Sequence, residues 1–166
     1  MLYLRLVALL VLLIGASAVH AAPPFKTPQA LVEGIYAEIE ASSYWENFDQ
    51  EAGFEPFDTF SSELRARVTA ADAIVNPTGE FIGALDFSPF FYGQDSTGMT
   101  FVIGAAVSKG GKASAPVQIL LEGEVLHELR VVMVEEAGVW KVDDFVLPGD
   151  DGPWRLTDYL ADPLNF

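Results

Sequence analysis

The sequence predicts an α+β fold: N-terminal helices packed on a curved antiparallel meander of four to five strands, with a short helix at the C-terminus. Apolar residues alternate with period two between Met99 and Leu147, short glycine-containing turns interrupt that stretch, and two segments before it have helical periodicity. Turns this short join antiparallel neighbours. We expect residues 22–166 to form a single domain, with no repeat or linker to divide it.

The alternation assigns one face of each of four strands to the core. The first turn, Ser108 to Lys112, contains paired glycines that tolerate positive φ. The opposite, outer face of these strands is not fully polar, since Val102, Leu120, Val132 and Val134 also need cover from helices or from a partner chain. A homodimer through the sheet face is one hypothesis. The residues predicted to point inward are Phe101, Ile103, Ala105 and Val107, then Ala115, Val117, Ile119 and Leu121, then Leu129, Val131 and Met133, and finally Trp140, Val142 and Val146.

Helix signals flank this stretch. Thr27 and Pro28 suit the N-cap and first position of a helix whose apolar stripe is Leu31, Val32, Ile35, Tyr36 and Ile39. A second helix is predicted over Thr59 to Val75, capped by Asp58 or Thr59 and ended by Asn76-Pro77. A short third helix is predicted from Trp154 to Ala161.

The first 21 residues have the pattern of a secretory signal peptide. Arg5 supplies a basic start, Leu6 to Ile14 is apolar but too short to span a bilayer, and small residues follow. Cleavage after Ala21 is preferred, and cleavage after Ala18 also satisfies the small-x-small rule. We expect a periplasmic or secreted protein with no membrane attachment after cleavage.

Composition excludes several kinds of chemistry. The chain of 166 residues contains no cysteine, which rules out disulfides, thiolate metal sites and a cysteine nucleophile. Its formal charge of −15 disfavours nucleic acid, because phosphate binding needs clustered lysine and arginine. A basic protein is the partner that this charge suits. No phosphate loop, dinucleotide fingerprint or catalytic triad pattern is present, so no cofactor is expected.

Two segments between the helices and the strands lack clear periodicity. Tyr44 to Asp58 mixes acids with aromatics, and Asp49-x-Glu51-x-Gly53-x-Glu55 faintly resembles a calcium loop without its final bidentate glutamate. A solvated acidic loop pinned by aromatics is the favoured interpretation, and no metal site is expected. Residues 76–98 are rich in aromatics, and we expect a short strand or turn around Leu85 to Pro89.

Several short motifs carry a resemblance to a known family. They are Pro28-x-x-x-Val-x-x-Ile-Tyr36, Phe60-Ser-Ser-Glu-Leu64, Leu85-Asp-Phe-Ser-Pro-Phe90 followed by Gln94-Asp95, and Trp140-Lys-Val-Asp-Asp-Phe145. In these features the chain resembles the bacterial domain-of-unknown-function family 3828, within the nuclear transport factor 2-like, cystatin-like superfamily. The resemblance implies a cone-like sheet and export, and it brings no enzymatic role with it.

The wider superfamily includes isomerases, dehydratases and binding proteins, so the fold alone does not decide function. His127 and Asp95 are weak catalytic candidates, since a cavity histidine or carboxylate acts as a general base in such folds. The competing interpretation of His127 is a hydrogen-bonded histidine at a strand end. The competing interpretation of Asp95 is that, beside Gln94, it caps backbone amides within Ser96 to Met99 or of a facing loop.

The sequence also contains candidates for a ligand pocket. The aromatic residues Tyr36, Tyr44, Trp45 and Trp140 either line such a pocket or belong to the core.

Two functions follow from these observations. The first is a non-enzymatic exported binding protein, for example an immunity or inhibitor protein against an envelope-targeted toxin or hydrolase. The second is a small-molecule binding protein, or an isomerase- or dehydratase-type enzyme, that uses a cavity inside the cone. The lining of the interior discriminates between them: an open polar cone favours the second, and a cone plugged by phenylalanine and leucine with His127 facing solvent would exclude it.

Overall fold

The computed structural model describes residues 21–41, 53–80, 82–150 and 152–165, and these form an α+β fold. Most of the predicted signal peptide, Tyr44, Trp45 and most of the calcium-like loop lie outside the described residues. The helices are α1 (Pro28–Ala41), α2 (Ser62–Val75) and α3 (Leu156–Ala161), with a 3₁₀ turn at Pro56–Thr59. The strands are β1 (Met99–Ile103), β2 (Val107–Lys109), β3 (Lys112–Leu121), β4 (Glu124–Glu136), β5 (Val139–Leu147) and β6 (Trp154–Arg155).

The strands form one antiparallel sheet in the order β1-β3-β4-β5-β6, with β2 also paired to β3. The predicted antiparallel sheet is therefore confirmed, although it has six strands rather than four to five. Both glycines of its first turn, Gly110 and Gly111, have positive φ. Helices α1 and α2 cover one face, which we call the inner face; its residues Val117, Val131 and Met133 are fully buried with the apolar side of α1. The opposite side is called the outer face.

The first predicted strand is divided in two, and the cause is Pro116 on β3. The Gly104 amide donates to the Pro116 carbonyl at 2.8 Å, and a Cβ at Gly104 would lie 2.6 Å from the proline ring. Pairing with β3 is then interrupted, and the Ala106 amide bonds to Gln29 Oε1 on α1 instead. After the interruption Val107 pairs with Ser114 and is 72% exposed, so the prediction that Ala105 and Val107 point inward was wrong.

A bulge in β5 accounts for a second incorrect assignment. Met133 pairs with Val142 while Val132 pairs with Asp144, which leaves Asp143 as an extra residue. Trp140 and Val142 are buried before the bulge, as predicted, but Phe145 and Leu147 are the buried residues after it. Val146, predicted to point inward, lies on the outer face because one extra residue reverses the alternation.

A further register shift lies near the end of β3, between Ile119 and Leu120. Leu121 follows it beside the turn into β4. This residue is 38% exposed rather than buried as predicted. The remaining inward residues of β3 and β4 are buried as expected, namely Ala115, Val117, Ile119, Leu129, Val131 and Met133.

The first helix agrees with prediction in its start and its buried stripe. Thr27 Oγ1 accepts the Ala30 amide at 3.1 Å, and the five predicted stripe residues are buried. Helix α2 begins later than predicted, and its cap is Ser61, whose Oγ accepts the Leu64 amide at 3.0 Å. The predicted caps Asp58 and Thr59 lie in the 3₁₀ turn instead.

Phe60 connects that turn to the sheet, since it bridges Val142 of β5. The next residue, Ser61, continues the connection, because its amide donates to the Val142 carbonyl at 2.7 Å. The second helix ends at Val75, before Asn76-Pro77, as predicted.

The later connecting segments differ from prediction only in detail. The described part of residues 76–98 contains turns and one bridge between Ser88 and Gly93. The predicted C-terminal helix begins at Leu156, because Trp154 and Arg155 pair with β5 as strand β6. Within the described residues, no helix has the combination of length and apolar character that a bilayer crossing needs.

Two adjacent carboxylates at the β5 bulge connect the sheet to the helices. Asp143 Oδ1 accepts the hydroxyl of Ser61, the cap of α2, at 2.7 Å. Asp144 is only 5% exposed, and its carboxylate accepts the Thr157 amide at 3.0 Å and the Thr157 hydroxyl at 3.1 Å, in the first turn of α3. Arg155 also donates to it at 3.1 Å. Asp144 thus supplies the cap for α3 that Arg155, at the N-cap position, does not provide.

We predict that Asp144→Ala lowers the free energy of unfolding by about 2–4 kcal/mol, because buried N–H donors lose their acceptor and Arg155 loses its partner. Chemical denaturation measures the change. Asp150→Ala, at an exposed aspartate in the following turn, is the matched control and should cost less than about 0.5 kcal/mol. Equal stabilities of the two variants would contradict the anchoring role of Asp144.

Candidate functional site

The aromatic residues predicted to line a pocket are core residues where the structure describes them. Tyr36 is 1% exposed, its hydroxyl donates to the Phe90 carbonyl at 2.7 Å, and its ring lies 4.9 Å from that of Phe101. Burial raises the pKa of the Tyr36 phenol well above its usual range. Trp140 is 8% exposed, and its amide donates to the Phe25 carbonyl at 2.9 Å. Tyr44 and Trp45 lie outside the described residues.

Three phenylalanine rings pack against one another between the helices and the inner face. Phe60, Phe90 and Phe145 are all fully buried. Their ring centroids are separated by 5.6 Å for Phe60 and Phe90, 6.2 Å for Phe60 and Phe145, and 5.0 Å for Phe90 and Phe145. Contacts of this kind stabilise a core and leave no room for a substrate among the rings.

His127 lies in a half-buried aromatic cluster at one end of the sheet. It pairs with Ile119, and its ring meets that of Tyr92 edge-on at 5.7 Å. Tyr92 also contacts Trp154 at 5.1 Å and Phe87 at 5.5 Å. Among the described residues, His127 has no carboxylate within hydrogen-bond distance that would orient it as a general base.

Tyr159 closes this aromatic cluster on the side of α3. Its hydroxyl donates to the Ala84 carbonyl at 2.7 Å. Burial raises the pKa of Tyr159, and the neighbouring Asp86 and Tyr92 raise it further. The phenol is therefore a neutral hydrogen-bond donor near neutral pH, which suits a structural role.

Asp95 and Gln94 organise the turn that leads into β1. Asp95 Oδ1 accepts the Thr97 amide and the Thr97 hydroxyl, both at 2.8 Å. The Gln94 amide group donates to the Asp86 carbonyl at 3.2 Å. The amide of Thr97 lies within the range that the sequence interpretation of Asp95 as a backbone cap specified.

A groove of about 670 Å³ lies on the outer face of the sheet, on the opposite side from the helices. This volume is in the usual range of small-molecule sites. Strands β2 to β5 form its floor, and the turn before β6 forms one wall. Its lining consists of Val107, Ser108, Lys109, Lys112, Ala113, Ser114, Pro116, Glu128, Leu129, Arg130, Val132, Val146, Pro148, Pro153 and Arg155.

The groove is cationic although the chain is acidic. Four of the nine lysines and arginines in the chain line it, against one carboxylate, Glu128. Arg155 is paired with Asp144, whereas Lys109, Lys112 and Arg130 have no hydrogen-bond or ion-pair partner among the described residues. Three cations of this lining are therefore available to a ligand.

Lys141, the next lysine along the sheet, does not join this groove. Its ammonium donates to the Asp58 carbonyl at 3.0 Å, in the 3₁₀ turn before α2. Burial lowers the pKa of Lys141, and the nearby Arg65 lowers it further, while Glu136 and Asp58 oppose the change. This cation therefore serves the contact between β5 and the segment that leads to α2.

Sequence reasoning identified part of this site and missed the rest. The apolar outer-face residues, Val132 among them, indicated a surface that needs cover. The cations were missed because Arg130 on β4 is distant in sequence from Lys109 and Lys112, which flank the Gly110-Gly111 turn, and only strand pairing places all three on one face of the sheet. Within the described residues, no group of three histidine, aspartate or glutamate side chains could hold a metal ion.

Comparison with known proteins adds no relative: no family model, no curated protein and no solved structure matches the chain.

Tyr36 gives a prediction about pH dependence. An unfolded tyrosine ionises near pH 10, but buried Tyr36 keeps its proton to higher pH, so the folded state binds more protons above about pH 10. Its contribution to stability is therefore complete below about pH 10 and declines as the pH rises, by up to about 1.4 kcal/mol per pH unit. Urea denaturation between pH 8 and 11 measures the slope.

Tyr36→Phe should reduce this alkaline slope and also cost roughly 1–2 kcal/mol near pH 7, because the Phe90 carbonyl loses its donor. Phe101→Leu is the control, since it removes the neighbouring ring without removing an ionisable group. An unchanged slope in Tyr36→Phe would show that other groups cause the alkaline loss.

Proposed function

We propose that this chain is an exported, non-enzymatic binding protein of the bacterial periplasm, and that the groove on the outer face is its binding surface. One observation carries the proposal: buried phenylalanine rings pack together on the inner face, while the groove of about 670 Å³ lies open on the other side of the sheet. The groove presents apolar and cationic side chains and lacks a histidine that could pair with Glu128 in acid–base chemistry.

Export is the second part of the proposal, and the contacts near the N-terminus are consistent with it. The first described residue that packs against the core is Ala22, followed by Phe25, whose ring lies 5.8 Å from that of Phe54. Cleavage after Ala21 would keep both contacts. The leader pattern of residues 1–21 supports delivery to the periplasm.

Membership of family 3828, within the nuclear transport factor 2-like superfamily, remains part of this proposal. The order of two helices followed by an antiparallel meander supports it. In this chain the motif residues have structural roles: Ser61 caps α2, Asp95 holds a turn, and Asp143 and Asp144 anchor helices.

An immunity or inhibitor protein is one specific form of this function. The formal charge of −15 suits a basic toxin or hydrolase, because opposite charges steer encounter and raise the rate of association. The groove has the opposite sign, so a basic target would contact acidic surface elsewhere, such as the exposed carboxylates Glu33 and Glu40 of α1. The groove itself suits a different ligand.

We predict that protein recovered from the periplasmic fraction begins at Ala22. N-terminal sequencing together with intact mass is the measurement. A start at Val19 would indicate cleavage after Ala18 and leave export intact. A start at Met1, or recovery only from the cytoplasm, would contradict export.

Blocking the groove tests whether it is the binding surface. Ser114 is half-buried on its floor, between Val107 and Val132, so Ser114→Trp should fill the space. Thr100→Trp is the matched control, since Thr100 is exposed on β1 and lies outside the groove. Both variants should retain the wild-type melting temperature within a few degrees.

The measurement is native mass spectrometry of protein isolated from the periplasm, together with affinity capture from envelope extract. A bound molecule should accompany the wild type and Thr100→Trp and should be absent from Ser114→Trp. Equal recovery with all three proteins would place the binding surface elsewhere. Recovery of nothing with the wild type at any salt concentration would count against a binding function.

A further inference from the structure

We propose that the outer-face groove binds a single-chain amphiphile with a carboxylate headgroup. The proposal deepens the proposed function and rests on the groove being the binding surface. It follows from three observations on the groove. Three of its cations have no partner among the described residues, its floor is apolar, and strand pairing places Arg130 in one row with apolar residues of the floor.

The cations of the groove indicate that the ligand carries a negative charge. Lys109, Lys112 and Arg130 line the groove without a partner among the described residues, and Glu128 is its one acidic lining residue. The rest of the chain is strongly acidic, so a free anion in solution is repelled at long range. Screening reduces this repulsion within about 10 Å at ordinary salt, so that the groove cations dominate nearby.

The apolar floor identifies the rest of the ligand. Pro116, Val132, Val146, Pro148 and Pro153 contribute apolar surface between and beside the cations. A small inorganic anion would leave this surface in water and would gain only from exposed charges, which interact weakly. An alkyl chain attached to the anion covers the floor and adds hydrophobic stabilisation.

Strand pairing places Arg130 at the centre of the groove. Pro116 pairs with Arg130, Arg130 pairs with Val146, and Val146 pairs with Arg155, so these four residues form one row across the sheet. The forked guanidinium of Arg130 suits bidentate binding of a carboxylate. The next row, two residues along the strands, contains Val107, Ser114 and Val132. An alkyl tail would lie on this row, and Lys109 and Lys112, one row further, would add to the positive potential of the groove without contacting the headgroup.

A second copy of the chain is a poorer occupant of the groove, because the groove is positively charged. In a twofold dimer that joins the two outer faces, the same patch of each chain contacts its equivalent. Each patch carries more cations than carboxylates, so this dimer would join two surfaces of like net charge, which disfavours association. The like charge of the two patches disfavours the homodimer through the sheet face that the sequence suggested.

The test is calorimetric titration of the mature chain, residues 22–166, with laurate below its micelle concentration. Three matched probes each change one feature of laurate. Acetate lacks the alkyl tail, dodecyl maltoside has the tail but no charge, and dodecyltrimethylammonium has the tail with a positive charge. We expect saturable 1:1 binding for laurate, much weaker binding for the other three, and weaker laurate binding at higher salt.

Variants then assign the roles within the groove. Arg130→Gln should weaken laurate about tenfold, Lys112→Gln about threefold, and Ser114→Trp should abolish binding. Arg67→Gln, at an exposed arginine of α2 outside the groove, should leave binding unchanged. Melting temperatures show that each variant is folded.

Each other outcome overturns the proposal in a distinguishable way. If dodecyl maltoside binds as well as laurate and Ser114→Trp abolishes both, the groove is a binding surface for an uncharged ligand, and only the carboxylate assignment fails. If acetate equals laurate, the tail has no role. If laurate does not bind and the chain forms a dimer that Arg130→Gln disrupts, a second copy is the occupant. If Ser114→Trp and Thr100→Trp bind laurate equally, the groove assignment fails together with the proposed function.

Discussion

The bulge in β5 is the constraint on which the arrangement of helices and sheet depends. It places two neighbouring carboxylates on different partners: Asp143 accepts from Ser61 at the start of α2, and Asp144 accepts from Thr157 at the start of α3. Each helix start has backbone N–H groups without intrahelical partners, and a carboxylate there is favoured by both hydrogen bonding and the helix dipole. One irregularity in one strand therefore positions two helices.

The same bulge determines what fills the interior. It turns Phe145 inward, against Phe60 and Phe90, and leaves Val146 on the outer face. The rings pack together between the helices and the inner face. Together with the interruption at Gly104, which brings Val107 outward, the irregularities move apolar surface from the inner face to the outer face. Surface available to a ligand is consequently found on the open side of the sheet.

The groove shows that net charge is a poor guide to a local site. The chain as a whole has a formal charge of −15, which predicts a basic partner, yet the groove has three cations without partners and one carboxylate. Because salt limits the range of exposed charges, a ligand in the groove experiences its lining more than the distant acids. A basic protein and an anionic small molecule could therefore use different surfaces of the same chain.

Local sequence determined the elements whose signals are short in range. The stripe and cap of α1, the glycine turn at Gly110 and Gly111, the alternation of Leu129, Val131 and Met133, and the cap formed by Asp95 all depend on residues within a few positions of one another. Tertiary structure decided the division at Gly104, the choice of Ser61 over Asp58 or Thr59 as a cap, the inward turn of Phe145 and the cationic groove. Each of these depends on which residue lies opposite on a paired strand, such as Pro116 opposite Gly104. Pairing register joins residues that are distant in sequence, and a shift of one residue reverses every side chain that follows.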